Sequence, residues 1–291
     1  MANTATTGDF SRSTKIDMEV LLTGEIRLAS PPEIFLKISQ IIEDPSKTVQ
    51  DAERVIEHDP GLAARLLRLV NSAFYGFPRR IVSISHAVSL IGLNELRDLV
   101  LATVVVERFS KLSNPLMSMR EFWQVSVRGA LLTRELSKAF AGMEATFVCG
   151  LLHEIGRLVI YARIPELARA ALLLATAENL EERVAERRIY GFDHYQLGAE
   201  LLRRWQLPEV IVTTLRHHGR PGEAGGFSRE TALVTLALLV SIEDLSAVQA
   251  SQRPDLGELM DFLHLPTELL AEAMETADRQ FESVYSLLMG P

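Results

Sequence analysis

Apolar side chains along this chain return every third or fourth residue, the spacing that places them on one face of an α-helix. Ile34, Phe35, Ile38, Ile41 and Ile42 form one such stripe. The stretch before it, Ser30-Pro31-Pro32-Glu33, has the order of a helix start: a capping serine, proline in the first turn and a glutamate completing a capping box. Thr48 with Asp51 is an acidic version of that box, and Asp59-Pro60 opens a third helix whose inner face is Leu62, Leu66, Leu69 and Val70. That helix is expected to stop in the segment NSAFYGF, residues 71–77. Another is expected over 85–91, ended by Gly92, after which Asn94 is placed to cap a long helix carrying Leu96, Val100, Val104 and Phe109. Beyond a KLSNP break near residue 113, Ser118 and Glu121 read as a capping box ahead of a stripe of Phe122, Val125, Gly129, Leu132, Leu136 and Phe140. Later starts are marked by Pro165, by Asp193 with Gln196, by Pro208, by Ser228 and by Pro266-Thr267. No convincing strand or hairpin signal accompanies them, so the pattern predicts an all-α protein.

Residues 1–20 are polar and rich in Thr, Ser and Ala, too poor in apolar side chains to offset the entropy of ordering, and are expected to be a flexible tail. The break near 113 divides the remainder into two helical subdomains, 21–113 and 114–291, expected to meet through a broad apolar interface. With 47% hydrophobic residues among 291, the chain can fill a sizeable core. A net charge of −8 and a pI near 5.5 offer no basic field to a phosphate backbone. Arg79-Arg80, Arg187-Arg188 and Arg203-Arg204 are scattered pairs, so nucleic acid is not an expected partner. The single cysteine, Cys149, lies in FVCGLL as a small hydrophobe and can form no internal disulfide. The N-terminal residues lack the apolar core of a signal peptide, and no 18-residue apolar run reads as a membrane span. These features lead to the expectation of a cytoplasmic protein with no membrane partner.

The apolar run GLLHEIGRLVI at 150–160 contains an adjacent histidine and carboxylate, His153-Glu154. Such a pair among hydrocarbon side chains is either part of a metal site or a buried hydrogen-bonded link. The run stands in order with FWQVSVRGALLTREL, with YGFDHYQLGAELLRRWQLPEVIVTTLRHH and with the upstream DPGLAARLLRLVNSAFYGFPRRIVSISHAVSLIGLNELRDLVL. In that order and spacing the chain resembles HDOD proteins over residues 28–245. These are bacterial signalling proteins related to HD-type metal phosphohydrolases, among them the HD-GYP phosphodiesterases of cyclic di-GMP. The resemblance implies an HDOD-like fold, with an N-terminal helical bundle packed on a C-terminal HD-like helical subdomain.

It also implies where metal ligands would stand. Catalytic relatives hold one metal with a histidine on the FW helix, both residues of a His-Asp pair and an aspartate on a late helix. The matching positions here are Val125, His153, Glu154 and Leu238. Two of the four are hydrocarbons that extend apolar stripes, and Glu154 is one methylene longer than aspartate, so that first metal site is expected to be absent, filled and dry. A residual site is implied by Glu154, His194 and His217, with His153 and His218 beside them, and Glu121 matches an acid sometimes used for a third metal. Either no cofactor or one divalent transition metal is therefore expected.

The residue types leave structural roles open: Asp193 as an N-cap, Glu121 as a capping acid, and His217 and His218 bonding free carbonyls at a helix end. After the His pair the chain reads HHGRPGEAGGF, without the Gly-Tyr-Pro of HD-GYP enzymes, which removes the best sequence argument for cyclic di-GMP hydrolysis. Phe74, Tyr75 and Phe77 are expected to face the second subdomain, either as packing between modules or as a crevice for a ligand or partner. The function expected is a non-catalytic signal-transduction or output module acting through contacts with signalling proteins. The alternative is a metal-dependent phosphohydrolase or phosphodiesterase that uses the residual site. The sequence does not set the oligomeric state.

Overall fold

The structure, a computed structural model, describes residues 16–23, 31–112, 115–143, 145–243 and 245–290. Among these residues the regular elements are all helical and no strand occurs. A short α1 (Met18–Leu21) precedes a first bundle of α2 (Glu33–Glu43), α3 (Val49–Glu57), α4 (Pro60–Val70) and α5 (Ile84–Phe109). Its starts follow the local chemistry of the sequence. Thr48 and Asp51 form the capping box of α3, and Asp59 accepts from the Leu62 amide with Pro60 in the first turn of α4. At α2 it is Pro32 that occupies the N-cap position, and Ser30 lies outside the described residues. The α5 axis is broken at Gly92, whose φ of 81° and ψ of 164° are closed to residues carrying a Cβ. Phe35, Ile38, Ile56, Leu62, Leu66, Leu99 and Val106 are buried in this bundle.

The second half comprises α6 (Met119–Ser137), α7 (Thr146–Leu152), α8 (Ile155–Arg163), α9 (Pro165–Glu178), α10 (Glu182–Ile189), α11 (His194–Arg204) and α12 (Glu209–His217). Two 3-10 turns, Pro221–Glu223 and Gly225–Phe227, lead to α13 (Ser228–Ile242), α14 (Ala247–Gln252), α15 (Pro254–Leu263) and α16 (Thr267–Met289). The central member is α6, against which α7, α13 and α16 all pack. Small residues set these crossings. A Cβ on Gly129 would come within 2.7 Å of a Leu238 methyl, and one on Gly150 within 2.6 Å of the Ala130 Cα. Ser118 caps α6 by accepting from the Glu121 amide, and the helix ends at Ser137, so Phe140 sits in the turn beyond it.

Three expectations need correction. Residues 16–20 do not continue a loose tail: the Ile16 amide donates to the Tyr190 carbonyl, Arg163 donates to the Val20 carbonyl, and Leu21 and Leu22 are buried. Two adjacent leucines supply the apolar anchor that the polar stretch before them lacks. The segment Gly225–Ile242 does reach a mean hydropathy of 1.3 over 18 residues, so by length and composition alone it passes as a membrane span. Much of it is α13, which here is buried between α6, α12 and α15. Finally, His153 and Glu154 lie at the join of α7 and α8 and not inside one continuous helix.

Candidate functional site

At that join the backbone of His153 is still helical, while Glu154, at φ −103° and ψ 15°, has left the helix. The two side chains diverge and do not bond to each other. His153 Nδ1–H donates to the Gly150 carbonyl at 2.8 Å, which leaves its Nε2 as the lone-pair nitrogen. Glu154 Oε2 accepts from Arg157 Nε at 2.6 Å.

Close packing of α8 on α11 brings His194 to the same place. Gly156 and Gly198 meet at this crossing, and a Cβ on Gly156 would fall 2.0 Å from the His194 carbonyl oxygen. His194 is the first residue of α11, fixed by the capping box of Asp193 and Gln196. From α10, Glu186 Oε2 accepts both from the His194 amide at 2.9 Å and from its Nδ1–H at 2.6 Å. The other ring nitrogen, Nε2, stands 3.4 Å from Glu154 Oε2.

Between these groups lies the guanidinium of Arg157. Besides Glu154, it donates through Nη1 to Glu182 of α10 and to the Tyr161 hydroxyl, and Nη2 is 3.2 Å from His194 Nε2. Burial disfavours all of these charges, but the surrounding partners outweigh it. Glu154 is held well below the usual carboxylate range by Arg157 and His194, Glu186 is lowered by its bonds to His194, and Arg157 is raised by Glu154 and Glu182. His194, despite the same burial, is pushed up to about 9, chiefly by Glu154. Three carboxylates around two nitrogen bases favour the protonated ring.

The other histidines sit differently. His218 Nδ1–H donates to the Leu215 carbonyl, its ring lies 3.7 Å from that of Tyr195 and 5.7 Å from that of His153, and its buried Nε2 has no hydrogen-bond partner among the described residues. Burial and the neighbouring His153 push it down to about 3, so it is neutral. His217 ends α12, 3.8 Å from Glu223 of the following loop, and among the described residues it does not join Glu154 and His194 in a group able to hold a metal. Leu238 is buried against Gly129, whereas Val125 is only half-buried. Val125 lines an open cleft of about 430 Å³ with Glu121, Phe122, His153, Glu154 and Arg157, so one side of the expected filled site is wet.

How well would these residues suit a divalent ion? Two donors each about 2.1 Å from one tetrahedral ion stand about 3.4 Å apart. That is the spacing of Glu154 and His194, and Glu186 backs the far ring nitrogen as carboxylates do behind metal-bound histidines. The position between them, however, is filled by a side chain that is itself a cation. Among the described residues no three His, Cys, Asp or Glu side chains converge to hold a metal. As arranged, the site does not fit one.

Arg157, Glu182 and Glu186 were missed in the sequence reading. A signal existed: Arg157 is a charge in the middle of the apolar run, three residues from Glu154, and a buried guanidinium requires acids around it. Nothing in the sequence shows that the acids come from α10.

A second feature lies where the two halves meet. Phe74 is buried edge-on against Phe147 of α7 at 5.1 Å, and Tyr75 stacks on Phe77 and donates to Glu95. Arg134 of α6 covers the Phe74 ring at 3.8 Å and donates to the Phe74 carbonyl. Phe74 therefore packs between the two halves, and Tyr75 lies under the same guanidinium. A cleft of about 580 Å³ opens beside them, lined by Arg97, Asp98, Arg134, Lys138, Phe140 and Phe147 among others.

With this geometry in place, comparison with known proteins is specific. An uncharacterized protein of Treponema pallidum (strain Nichols) is 32% identical over 195 residues, which is 65% of this chain and 37% of that protein's length. A candidate phosphohydrolase from Shewanella amazonensis superposes with a TM-score of 0.72 at 24% identity, over 88% of this chain and 93% of that one. An HDOD domain protein of unknown function from Geobacter sulfurreducens gives 0.71 at 23%, over 94% and 99%. A candidate signal transduction protein from Marinobacter aquaeolei gives 0.68 at 21%, over 95% and 63%. At these identities the solved structures establish the shared all-α fold. The sequence profile of the HDOD domain matches residues 28–221, ending before the helix that carries Leu238. This chain belongs to the HDOD domain family.

Proposed function

We propose that this chain is a non-catalytic, HD-related signalling module, working in the cytoplasm through contacts with protein partners. The observation that supports it best is the guanidinium of Arg157 standing between Glu154 and His194, where HD-type hydrolysis needs a metal. Hydrolysis at such a site depends on an ion that turns water into a nucleophile and neutralises the charge growing on phosphate oxygens. A guanidinium can do only the second, and Arg157 is already committed to Glu154 and Glu182. Val125 and Leu238, at positions matching ligands of catalytic relatives, offer no lone pair. The description of one structural relative as a signal transduction protein agrees with this reading, and that of another as a phosphohydrolase agrees with the alternative.

Assays separate the two. Purified protein supplied with Mn, Fe, Mg or Zn is expected to hydrolyse cyclic di-GMP, nucleotides and a generic phosphodiester no faster than His194→Ala. Robust turnover by the unmodified protein, lost in a folded His194→Ala variant, would sink the non-catalytic reading.

A further inference from the structure

We propose that Arg157 is a built-in replacement for the metal, a side-chain cation that occupies the ion's position and cross-links α8, α10 and α11 in its place. This rests on the non-catalytic reading but goes beyond it, since a site can lack activity and still take up metal.

The argument is one of donors and charge. Glu154 Oε2 and His194 Nε2 keep the separation that two ligands of one ion would have, and Glu186 keeps the ring of His194 in the orientation a metal-binding histidine needs. Glu182 accepts from a third nitrogen of the same guanidinium, Nη1. A cluster of three carboxylates at the meeting of three helices demands positive charge whether or not chemistry is done there. Arg157 supplies it from within the chain, reaching Glu154, Glu182 and the neighbourhood of His194 with three different nitrogens. The planar fork of guanidinium donors suits this task, because it satisfies separate acceptors in fixed directions as an ion would. The arrangement also makes sense of His217: with the cation supplied by Arg157 it is not needed as a ligand, and it faces the loop and Glu223.

The test is metal uptake, which does not depend on activity. Tag-free wild-type protein, Arg157→Gln and Arg157→Lys are dialysed against Mn(II) or Zn(II), and bound metal and melting temperature are measured. Wild type and Arg157→Lys, which both carry the charge, are expected to bind none above the level of His194→Ala and to show no upward shift. Arg157→Gln is expected to melt lower than wild type, to take up metal and to recover part of the lost melting temperature as binding stabilises the folded state. If Arg157→Gln does not fold alone, refolding in the presence of the ion is the readout: rescue supports the proposal and failure of rescue overturns it. A folded Arg157→Gln that gains no metal also overturns it. So does wild-type protein that binds metal and loses it in His194→Ala. Metal bound by the wild type without phosphodiester turnover would remove this proposal and leave the non-catalytic reading standing.

Discussion

His194 and His218 are two buried imidazoles about which the fold makes opposite choices, and that gives the molecule a pH signature. His194 is buried, which disfavours charge, yet Glu154 and Glu186 raise it from 6.5 to about 9. A group whose folded value lies above its unfolded one contributes fully below the unfolded value, and its contribution fades as pH rises through the folded one. His194 therefore stabilises the fold below about pH 6.5 and loses that effect towards pH 9. His218, lowered by burial to about 3, and His153, lowered by burial as well, act in the other direction: as pH falls below 6.5 the unfolded chain takes up protons that the folded one refuses. Glu154 and Glu186, both lowered, add a loss as pH falls through the carboxylate range below 4.5. Stability is expected to peak near pH 6.5 and to fall on both sides. Urea midpoints measured across about pH 4 to 8.5, below the range where the buried Cys149 thiol adds its own alkaline loss, should show an alkaline limb that His194→Gln removes and an acid limb that it leaves in place. An alkaline limb unchanged in that variant would refute the assignment to His194.

Where helices cross, a few glycines decide whether the site exists. α8 and α11 approach through Gly156 and Gly198 so closely that a methyl at 156 would sit 2.0 Å from the His194 carbonyl oxygen and 2.6 Å from the Gly198 nitrogen. Those neighbours are backbone and cannot swing aside. Gly156→Ala is expected to destabilise the protein by about 3 kcal/mol or more, as overpacking forces the helices apart and separates Glu154 from His194. Gly222, in the turn after α12, has open space around its would-be Cβ, and Gly222→Ala should change stability by less than about 1 kcal/mol. Comparing chemical denaturation of the two variants checks this; equal effects would mean that the close approach is unimportant. The same crossing explains how far the sequence could be read. Helix starts such as Thr48, Asp59, Ser118 and Asp193, and the break at Gly92, were legible because caps and glycine conformations act over a few residues. The pairing of His153 with Glu154 was misread because adjacency in sequence says nothing about divergence at a helix join. Glu182 and Glu186 stayed hidden because their roles depend on how α10 packs: Glu182 meets Arg157 from 25 positions away, and Glu186 meets His194 from 8. The residues of the HD-type site were traceable through the family resemblance, whereas the cation among them became visible only in three dimensions.

On the scale of the whole molecule, the two halves share more than a seam. Phe74 is locked between Phe147 and Arg134, and α16 lies against α4 and α5 as well as against α6. Arg134→Ala removes a donor to the Phe74 carbonyl and a cation stacked on its ring, for an expected loss of about 2 to 3 kcal/mol without splitting the melt into two transitions. The stronger test concerns α13 to α16. The family profile stops at residue 221, but among the described residues α13 and α16 are two of the helices packed most extensively against α6. From α13 alone, Leu233, Val234, Leu236, Leu238 and Val240 are buried. Full burial of each such side chain is worth roughly 1.5 to 3 kcal/mol, and a folded domain is stable by only about 5 to 15 kcal/mol. Losing them also uncovers the faces of α6 that pack on α13 and α16, Gly129 against Leu238 among them. A chain ending at residue 221 is therefore expected to keep helical circular dichroism at reduced intensity, bind a hydrophobic dye and unfold without a cooperative transition. Should that truncated chain melt cooperatively with its tertiary signal intact, residues 222–290 would be an accessory to the HDOD fold, and the central place given to α6 would have to be abandoned.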